Sequence, residues 1–252
     1  GIQFTFPKGA TLGSGESLIL VVNEVAFKER YPGIAVGGVY TGRLRNEGER
    51  IALASPHEEL FVVTYNNKKP WPSATKGGGF TLVLKDSAGN VDPMDPYSWR
   101  VSTQPGGSPG IQDPDPSSDT DIDDLPDSWE YLFFGNLDQV ADSDPDQDGF
   151  VNLLEFLLGS NPGKATSTNH PAAGLHEGKY LTLTYRRPVA HFGWVYRVEV
   201  STDLKNWASG PGQVEPVSVT SDAETEIVVV RDSTAISGAE GPRFIRLVVE
   251  SP

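Results

Sequence analysis

Two acidic stretches of the sequence carry oxygen ligands at the spacing of a calcium loop. The second stretch reads DPDQDGFVNLLE. Carboxylates stand at its positions 1, 3 and 5, a glycine at 6, an amide at 9 and a glutamate at 12, which is the EF-hand pattern. Calcium takes six to eight oxygens, so the chain must wrap around the ion and close the far side with a bidentate carboxylate. The predicted ligands are Asp144, Asp146, Asp148, the backbone carbonyl of Phe150, Asn152 and Glu155.

The first stretch, DTDIDDLPDSWE, starts 25 residues earlier and repeats the pattern with one departure. Asp124 occupies the position at which the second stretch has Gly149. A sharp turn with positive φ is expected there, which glycine adopts freely and aspartate adopts at a strain of about 1 kcal/mol. The second loop therefore fits the pattern better. The predicted ligands of the first loop are Asp119, Asp121, Asp123, the backbone carbonyl of Leu125, Asp127 and Glu130.

An acidic disordered linker is the alternative interpretation, since runs of Asp, Ser and Pro are common in such linkers. The residues that follow each loop argue against it. A solvated linker has no need of the large apolar side chains that stand there: Trp129, Tyr131, Leu132, Phe133, Phe134, Leu153, Leu154, Phe156, Leu157 and Leu158. These side chains favour two folded calcium loops.

Two short helices must hold the closing glutamates in place. The first is expected over 127–134, after Pro126 and before Gly135, and the second over 151–158, before Gly159. Helices of this length are not stable alone. We expect calcium and the mutual packing of their apolar side chains to hold them.

The net charge of the chain is concentrated in this segment. The formal charge is −14, and residues 113–155 contain fourteen of the 34 acidic residues and no lysine or arginine. Such a segment repels nucleic acid and anionic membranes, and without metal it should repel itself open. We therefore expect calcium as the cofactor, at two sites, and no nucleic-acid partner.

The chain has no cysteine, which excludes disulfides, thiolate metal sites and cysteine nucleophiles. No apolar run reaches the length of a membrane span, so membrane insertion is not expected. Calcium is abundant outside cells, and weak EF-hand-type sites are typical of extracellular modules. The sequence thus favours an extracellular or cell-surface location.

The parts on either side of the calcium segment have the pattern of β-structure. Alternating or continuous apolar runs bounded by Gly, Pro, Asn and Asp predict strands. In the first part we expect strands near 18–22, 50–53, 60–65 and 80–85 and a short helix near 25–31; in the second, strands near 180–185, 194–201, 214–219, 226–231 and 244–250. Many short strands with Gly and Pro between them favour β-sandwiches.

The first part resembles the lamin-tail domain. The resemblance covers residues 1–111 and rests on six segments in order: FPKGATLGSGESLILV, AFKERYPG, YTGRLRNEGERIALASP, TYNNKKPWP, GGGFTLVLKD and WRVSTQPGGSPG. It implies an immunoglobulin-like β-sandwich, found also in secreted modular bacterial proteins, with a structural role and no catalytic residue. The family's opening strands have no counterpart here. We therefore expect either a piece of a longer polypeptide or an open sheet edge that pairs with another molecule.

The central segment is similar to the tandem calcium repeats of dockerins and thrombospondin type 3 segments, on LPDSWE followed by DGFVNLLEFLLGSNP. In that resemblance the repeats act as calcium-stiffened spacers. VYRVEVSTDLKNW and PRFIRLVVE look like a fibronectin-like β-sandwich found behind such repeats. The predicted fold is mainly β, with two immunoglobulin-like sandwiches, at 1–111 and 164–252, joined by a short helical segment with the two loops at 112–163.

No catalytic constellation is evident. The sequence has no GxSxG, and the four histidines form no HxH or HxxxH pair: His57, His170, His176 and His191. The predicted function is a non-catalytic structural or adhesive segment of a secreted or surface protein, with a protein or glycan as candidate partner. The alternative is a carbohydrate- or matrix-binding region of a larger secreted enzyme, for which Trp71, Tyr97 and Trp99 would have to form an exposed row.

Overall fold

The computed structural model describes residues 1–86, 90–166, 169–222, 224–236 and 241–251. Strands make up 32% and helices 11%, so the prediction of a mainly β protein is confirmed. The chain forms two compact units, Gly1–Ser118 and Asp119–Pro252. None of the helices in the described ranges has the length and apolar character needed to span a bilayer.

Besides two 3-10 helices (Ser73–Thr75 and Pro96–Ser98), the first unit contains eight short strands and one α-helix within its described residues. They are β1 (Ile2–Gln3), β2 (Leu20–Val21), α1 (Glu24–Arg30), β3 (Gly38–Val39), β4 (Thr41–Gly42), β5 (Gly48–Ala54), β6 (Glu59–Asn66), β7 (Leu82–Leu84) and β8 (Trp99–Val101). They pair as four two-stranded sheets: β1 with β4, β2 with β3 in parallel, β5 with β6, and β7 with β8. The predicted helix and the four strands predicted in this part are confirmed, with shifted ends.

The Gly- and Pro-rich run 106–118, within which the first predicted domain ends at residue 111, belongs to the first unit. The buried carboxylate of Asp113 accepts hydrogen bonds from the Thr103 backbone N–H (3.0 Å) and the Ser108 hydroxyl (2.9 Å) and pairs with Arg100. The Tyr31 hydroxyl donates to the Gly106 carbonyl (2.8 Å). These contacts hold the run in place, so the boundary lies after Ser118 rather than at residue 111.

The second unit contains both predicted calcium loops and the C-terminal strands. Its elements are α2 (Asp127–Phe133), α3 (Asn152–Leu158), β9 (Ala172–His176), β10 (Tyr180–Pro188), β11 (Val195–Ser201), β12 (Val214–Ser221), β13 (Thr225–Ala235) and β14 (Phe244–Glu250). One sheet has the order β12-β13-β10-β9, and β11 pairs with β14 in a second. Both predicted helices and all five predicted strands are found, and β9 was not predicted.

Two apolar clusters fill the second unit. One lies among the strands and contains Leu183, Tyr185, Val198 and Val228. The other joins the calcium segment to the strands: the buried residues Leu125, Trp129, Phe156 and Leu157 pack with partly buried Phe192, Trp194, Tyr196 and Val249. The predicted central domain, 112–163, is therefore not a separate body, because its helices share a core with β11 and β14.

Candidate metal centre

The second loop brings its first three predicted ligands together. Oxygens of Asp144, Asp146 and Asp148 all lie within 4.8 Å of one another. Asp144 Oδ1 and Asp146 Oδ2 are buried and have no hydrogen-bond partner among the described residues. Three half-buried carboxylates at this separation repel one another in the absence of a cation. These three carboxylates could hold one metal ion.

Asn152 and Glu155, the last two predicted side-chain ligands of the second loop, lie in the first turn of α3, and both side chains are fully buried. The Asn152 side-chain amide donates to the Val140 carbonyl (3.0 Å), which leaves its Oδ1 without a partner among the described residues. Neither carboxylate oxygen of Glu155 has a hydrogen-bond partner there either. Buried oxygens left unpaired are costly, and a bound cation would satisfy all three.

The first loop contains two carboxylate groups that share one residue. Asp119, Asp121 and Asp127 form one group and Asp121, Asp123 and Glu130 form the other, each with ligand oxygens within 4.8 Å. Glu130, in the first turn of α2, is fully buried, and both its oxygens lack a hydrogen-bond partner among the described residues. The five predicted carboxylate ligands of this loop therefore form two overlapping groups, with Asp121 in both.

The backbones of the two loops follow the same course. The N–H at position 6 donates to the carboxylate at position 1, from Asp124 to Asp119 and from Gly149 to Asp144, at 3.0 Å in both loops. The N–H at position 7 donates to the carboxylate at position 5, at 2.9 Å from Leu125 and 2.8 Å from Phe150. In the first loop the other oxygen of Asp119 also accepts backbone hydrogen bonds, from Ile122 (2.7 Å) and Asp123 (3.3 Å). The two carbonyl ligands, of Leu125 and Phe150, stay predictions.

Positive φ angles occur at the same two positions of each loop. At position 6, Asp124 has φ +73° and Gly149 has φ +94°, which agrees with the turn expected from the sequence. At position 4, Ile122 and Gln147 both have φ +61°. The positive φ at position 4 is not predictable from the residue types, because neither favours the left-handed region and a β-branched isoleucine is strained there.

The electrostatics of the two closing glutamates reflect the crowding of acidic groups. Burial, reinforced by the charges of Asp121 and Asp123, raises the pKa of Glu130 to about 7. Burial also raises the pKa of Glu155 to about 7, against the opposing effect of the nearby Ser160 side chain and with support from the charges of Asp146, Asp148 and Asp144. A cation bound beside Glu130 and Glu155 would stabilise the charged form of each carboxylate.

The donor set fits calcium by its chemistry. It consists of carboxylate and amide oxygens, with no nitrogen or sulfur among the predicted ligands, and hard oxygen donors in this number are what calcium prefers. One calcium ion would be held by the side chains of the first loop, and a second ion by those of the second loop. There it would neutralise like charges and satisfy the unpaired buried oxygens.

Contacts with the C-terminal part of the chain anchor α3, and none of these contacts was predicted from the sequence. The Tyr196 hydroxyl donates to the Leu157 carbonyl (2.6 Å), and the rings of Phe156 and Phe192 stack with centroids 6.1 Å apart. The Asn169 side chain donates to the carbonyl of Gly159, the left-handed residue that ends the helix (2.7 Å). No local sequence pattern signals such distant partners.

The other residues weighed in the sequence analysis do not form a site among the described residues. Trp71 is 4% exposed, and Trp99 is half-buried with its indole N–H bonded to the Pro93 carbonyl (2.9 Å), so the exposed row required by the carbohydrate alternative is not formed. The four histidines lie apart, and no metal-ligating group in the described ranges includes one.

Comparison with known proteins gives no relative for this chain. No family model matches it, and no curated protein and no solved structure does either.

Proposed function

We propose that this chain is a non-catalytic, calcium-stabilised structural segment of a secreted or cell-surface protein. Two calcium ions bind the loops 119–130 and 144–155 and hold their helices against the C-terminal strands. The single observation that carries the proposal is the set of buried side-chain oxygens with no hydrogen-bond partner among the described residues, on Asp123 and Glu130 in the first loop and on Asp144, Asp146, Asn152 and Glu155 in the second. An ion with oxygen preference is the partner that this arrangement lacks.

The role proposed for calcium is to remove a repulsion that opposes folding. The segment 113–155 carries fourteen acidic residues and no basic one, and its helices share an apolar core with β11 and β14. Bound calcium lets this core form while the acidic loops stay close to it. In this way the acidic stretch becomes part of the folded second unit, so the proposed calcium-stiffened segment is built together with the C-terminal strands.

The finer fold and the family belong to the same proposal. We propose that residues 1–111 form a lamin-tail-like β-sandwich and that 164–252 form a fibronectin-like one. The paired strands of the first unit and the buried cluster of Leu183, Tyr185, Val198 and Val228 in the second support this. The extracellular location follows from calcium, which is abundant outside cells. A protein or glycan is the proposed partner of an adhesive role.

Titration of the purified chain with calcium tests the proposal. We expect two bound ions by isothermal titration calorimetry, a higher melting temperature with calcium than with EGTA, and little effect of magnesium at equal concentration. Asp144→Ala should lose one ion. Asp142→Asn is the matched control, because Asp142 is an exposed acidic residue between the loops and is not a predicted ligand.

Limited proteolysis adds a local readout of the same proposal. Chymotrypsin suits it, because the aromatic residues of α2 and α3 provide cleavage sites in a stretch where trypsin has none. EGTA should speed cleavage within residues 113–162, and calcium should slow it again. Equal melting temperatures and equal cleavage with and without calcium would contradict the proposed function.

A further inference from the structure

The glutamate that closes the second loop is carried by a helix too short to be stable alone. α3 has seven residues, from Asn152 to Leu158, and Glu155 lies in its first turn. An isolated helix of that length is not populated in water. The position of the Glu155 carboxylate therefore depends on what α3 packs against.

Tyr196 of β11 is the polar anchor of α3. Its hydroxyl donates to the Leu157 carbonyl at 2.6 Å, at the C-terminal end of the helix, where carbonyls have no partner within the helix. The tyrosine ring is itself fixed. It stacks on Tyr185, with centroids 6.1 Å apart and planes 4° from parallel, and the Arg187 guanidinium lies 5.6 Å from its centroid.

Phe192 is the apolar anchor of α3, and it contacts the middle of the helix at Phe156. Its ring stacks on Phe156, the residue next to Glu155, at 6.1 Å and with the planes 9° apart. Phe156 is 3% exposed, so this contact lies inside the core. Together the two contacts fix the helix at Phe156 and Leu157, the two residues that follow Glu155.

We infer that Tyr196 is a positioning residue for the second calcium loop, so that calcium affinity there is set partly by a β-strand residue outside the loop. The inference rests on the proposed calcium site. Without calcium, the repulsion among Asp144, Asp146, Asp148 and Glu155 pushes α3 away from β11 and weakens the Tyr196 bond. With calcium, the loop and the bond form together.

Thermodynamic linkage makes this coupling reciprocal. If docking of α3 strengthens calcium binding, calcium must in turn stabilise the docked strand. β11 pairs with β14 along its whole length, with Tyr196 opposite Val249. Calcium binding should therefore protect the backbone amides of β11 from hydrogen exchange, although no calcium ligand lies on that strand.

The test compares two identical substitutions in one aromatic stack. Tyr196→Phe removes the hydroxyl that bonds to α3, whereas Tyr185→Phe removes a hydroxyl from the neighbouring ring, for which the described residues show no bond to α3. Both are made in a Glu130→Gln background, so that calorimetry reports the second loop. We expect Tyr196→Phe to weaken calcium binding by roughly threefold to tenfold, the value of one hydrogen bond, and Tyr185→Phe to leave it unchanged.

Two further readouts separate positioning from a purely structural role. Tyr196→Phe should lower the melting temperature more in calcium than in EGTA, and it should reduce the calcium-dependent protection of β11 in hydrogen exchange. Equal melting losses in both conditions with unchanged calcium affinity would overturn the inference and leave the proposed function intact. Absence of calcium binding in the parent chain would overturn both.

Discussion

The two acidic loops have the same backbone but are anchored differently. α3, after the second loop, buries five residues, whereas α2, after the first, buries two. The second loop also has glycine at its sharp turn, where the first has Asp124. The first loop has one more carboxylate, since Asp127 stands where the second has Asn152.

These differences act in opposite directions. An extra carboxylate strengthens the attraction for a cation, while left-handed angles at Ile122 and Asp124 cost about 1 kcal/mol or more each. The ligand pattern therefore selects the ion, but strain and anchoring decide how far its binding stabilises the fold. On that basis the second loop should couple calcium to stability more strongly than the first.

The largest expected effect comes from removing each closing carboxylate. Glu155→Gln and Glu130→Gln keep the side-chain shape and should each abolish one calcium site. At calcium about a hundredfold above the dissociation constant, a lost site costs about 2.7 kcal/mol. We expect the larger loss of melting temperature for Glu155→Gln, because α3 buries more residues. Calorimetric unfolding in calcium measures it, and a larger loss for Glu130→Gln would reverse the comparison.

The second-largest expected effect is the change with pH in the melting temperature of the calcium-free protein. The pKa of Glu130 and of Glu155 is about 7 in the folded protein, against an ordinary value of 4.5. Between these values the folded state holds protons that the unfolded chain has lost, so stability falls as pH rises through this window. In EGTA we expect a higher melting temperature at about pH 5 than at about pH 8.

Calcium should reverse that trend, because protons compete with the metal for the same carboxylates. Thermal unfolding at both pH values, with calcium and with EGTA, gives the four measurements needed. Glu155→Gln serves as control, since it removes one of the two titrating groups and should flatten the curve in EGTA. A melting temperature in EGTA that rises with pH would refute the assignment.

A smaller effect is expected at position 4 of the first loop. Ile122 has a positive φ and is 88% exposed, so its replacement loses little packing. Ile122→Gly should relieve the strain of a β-branched residue and stabilise the calcium-bound protein by about 1 kcal/mol. Gln147→Gly, the same change in the second loop, is the comparison and should gain less. Calcium affinity and unfolding in urea report both, and a loss with Ile122→Gly would show that the angle is not strained.

The smallest effect is expected at position 6. Asp124→Gly gives the first loop the residue that the second has, keeps the backbone N–H that donates to Asp119 (3.0 Å) and removes an exposed charge. We expect a gain of about 0.5 kcal/mol in calcium-bound stability. The reverse change, Gly149→Ala, meets no atom within 4 Å of the added Cβ, so its loss would come from φ alone.

Most of the candidate site could be predicted from local sequence. The twelve-residue spacing brought Asp144, Asp146 and Asp148 together in the second loop and the five carboxylates of the first loop into two overlapping groups, because short-range backbone geometry brings alternate residues of a tight turn to one side. The C-terminal end of α3 was also predictable from local sequence, because Gly159 adopts the left-handed conformation that ends the helix. Strand β9 (Ala172–His176) was missed because its residues, AAGLH, have no alternating apolar pattern.

The sequence alone determined the candidate chemistry of this protein: two sets of oxygens that suit a hard cation, short helices after each set and strands on either side. Tertiary structure decided that the calcium segment is not a free spacer but shares a core with β11 and β14. It also decided that Tyr196 and Phe192 hold the helix that carries Glu155. The physical reason is the separation along the sequence over which each kind of interaction acts. Turn geometry and ligand spacing are set within a dozen residues, whereas the packing of one apolar face against another depends on segments that meet only after folding.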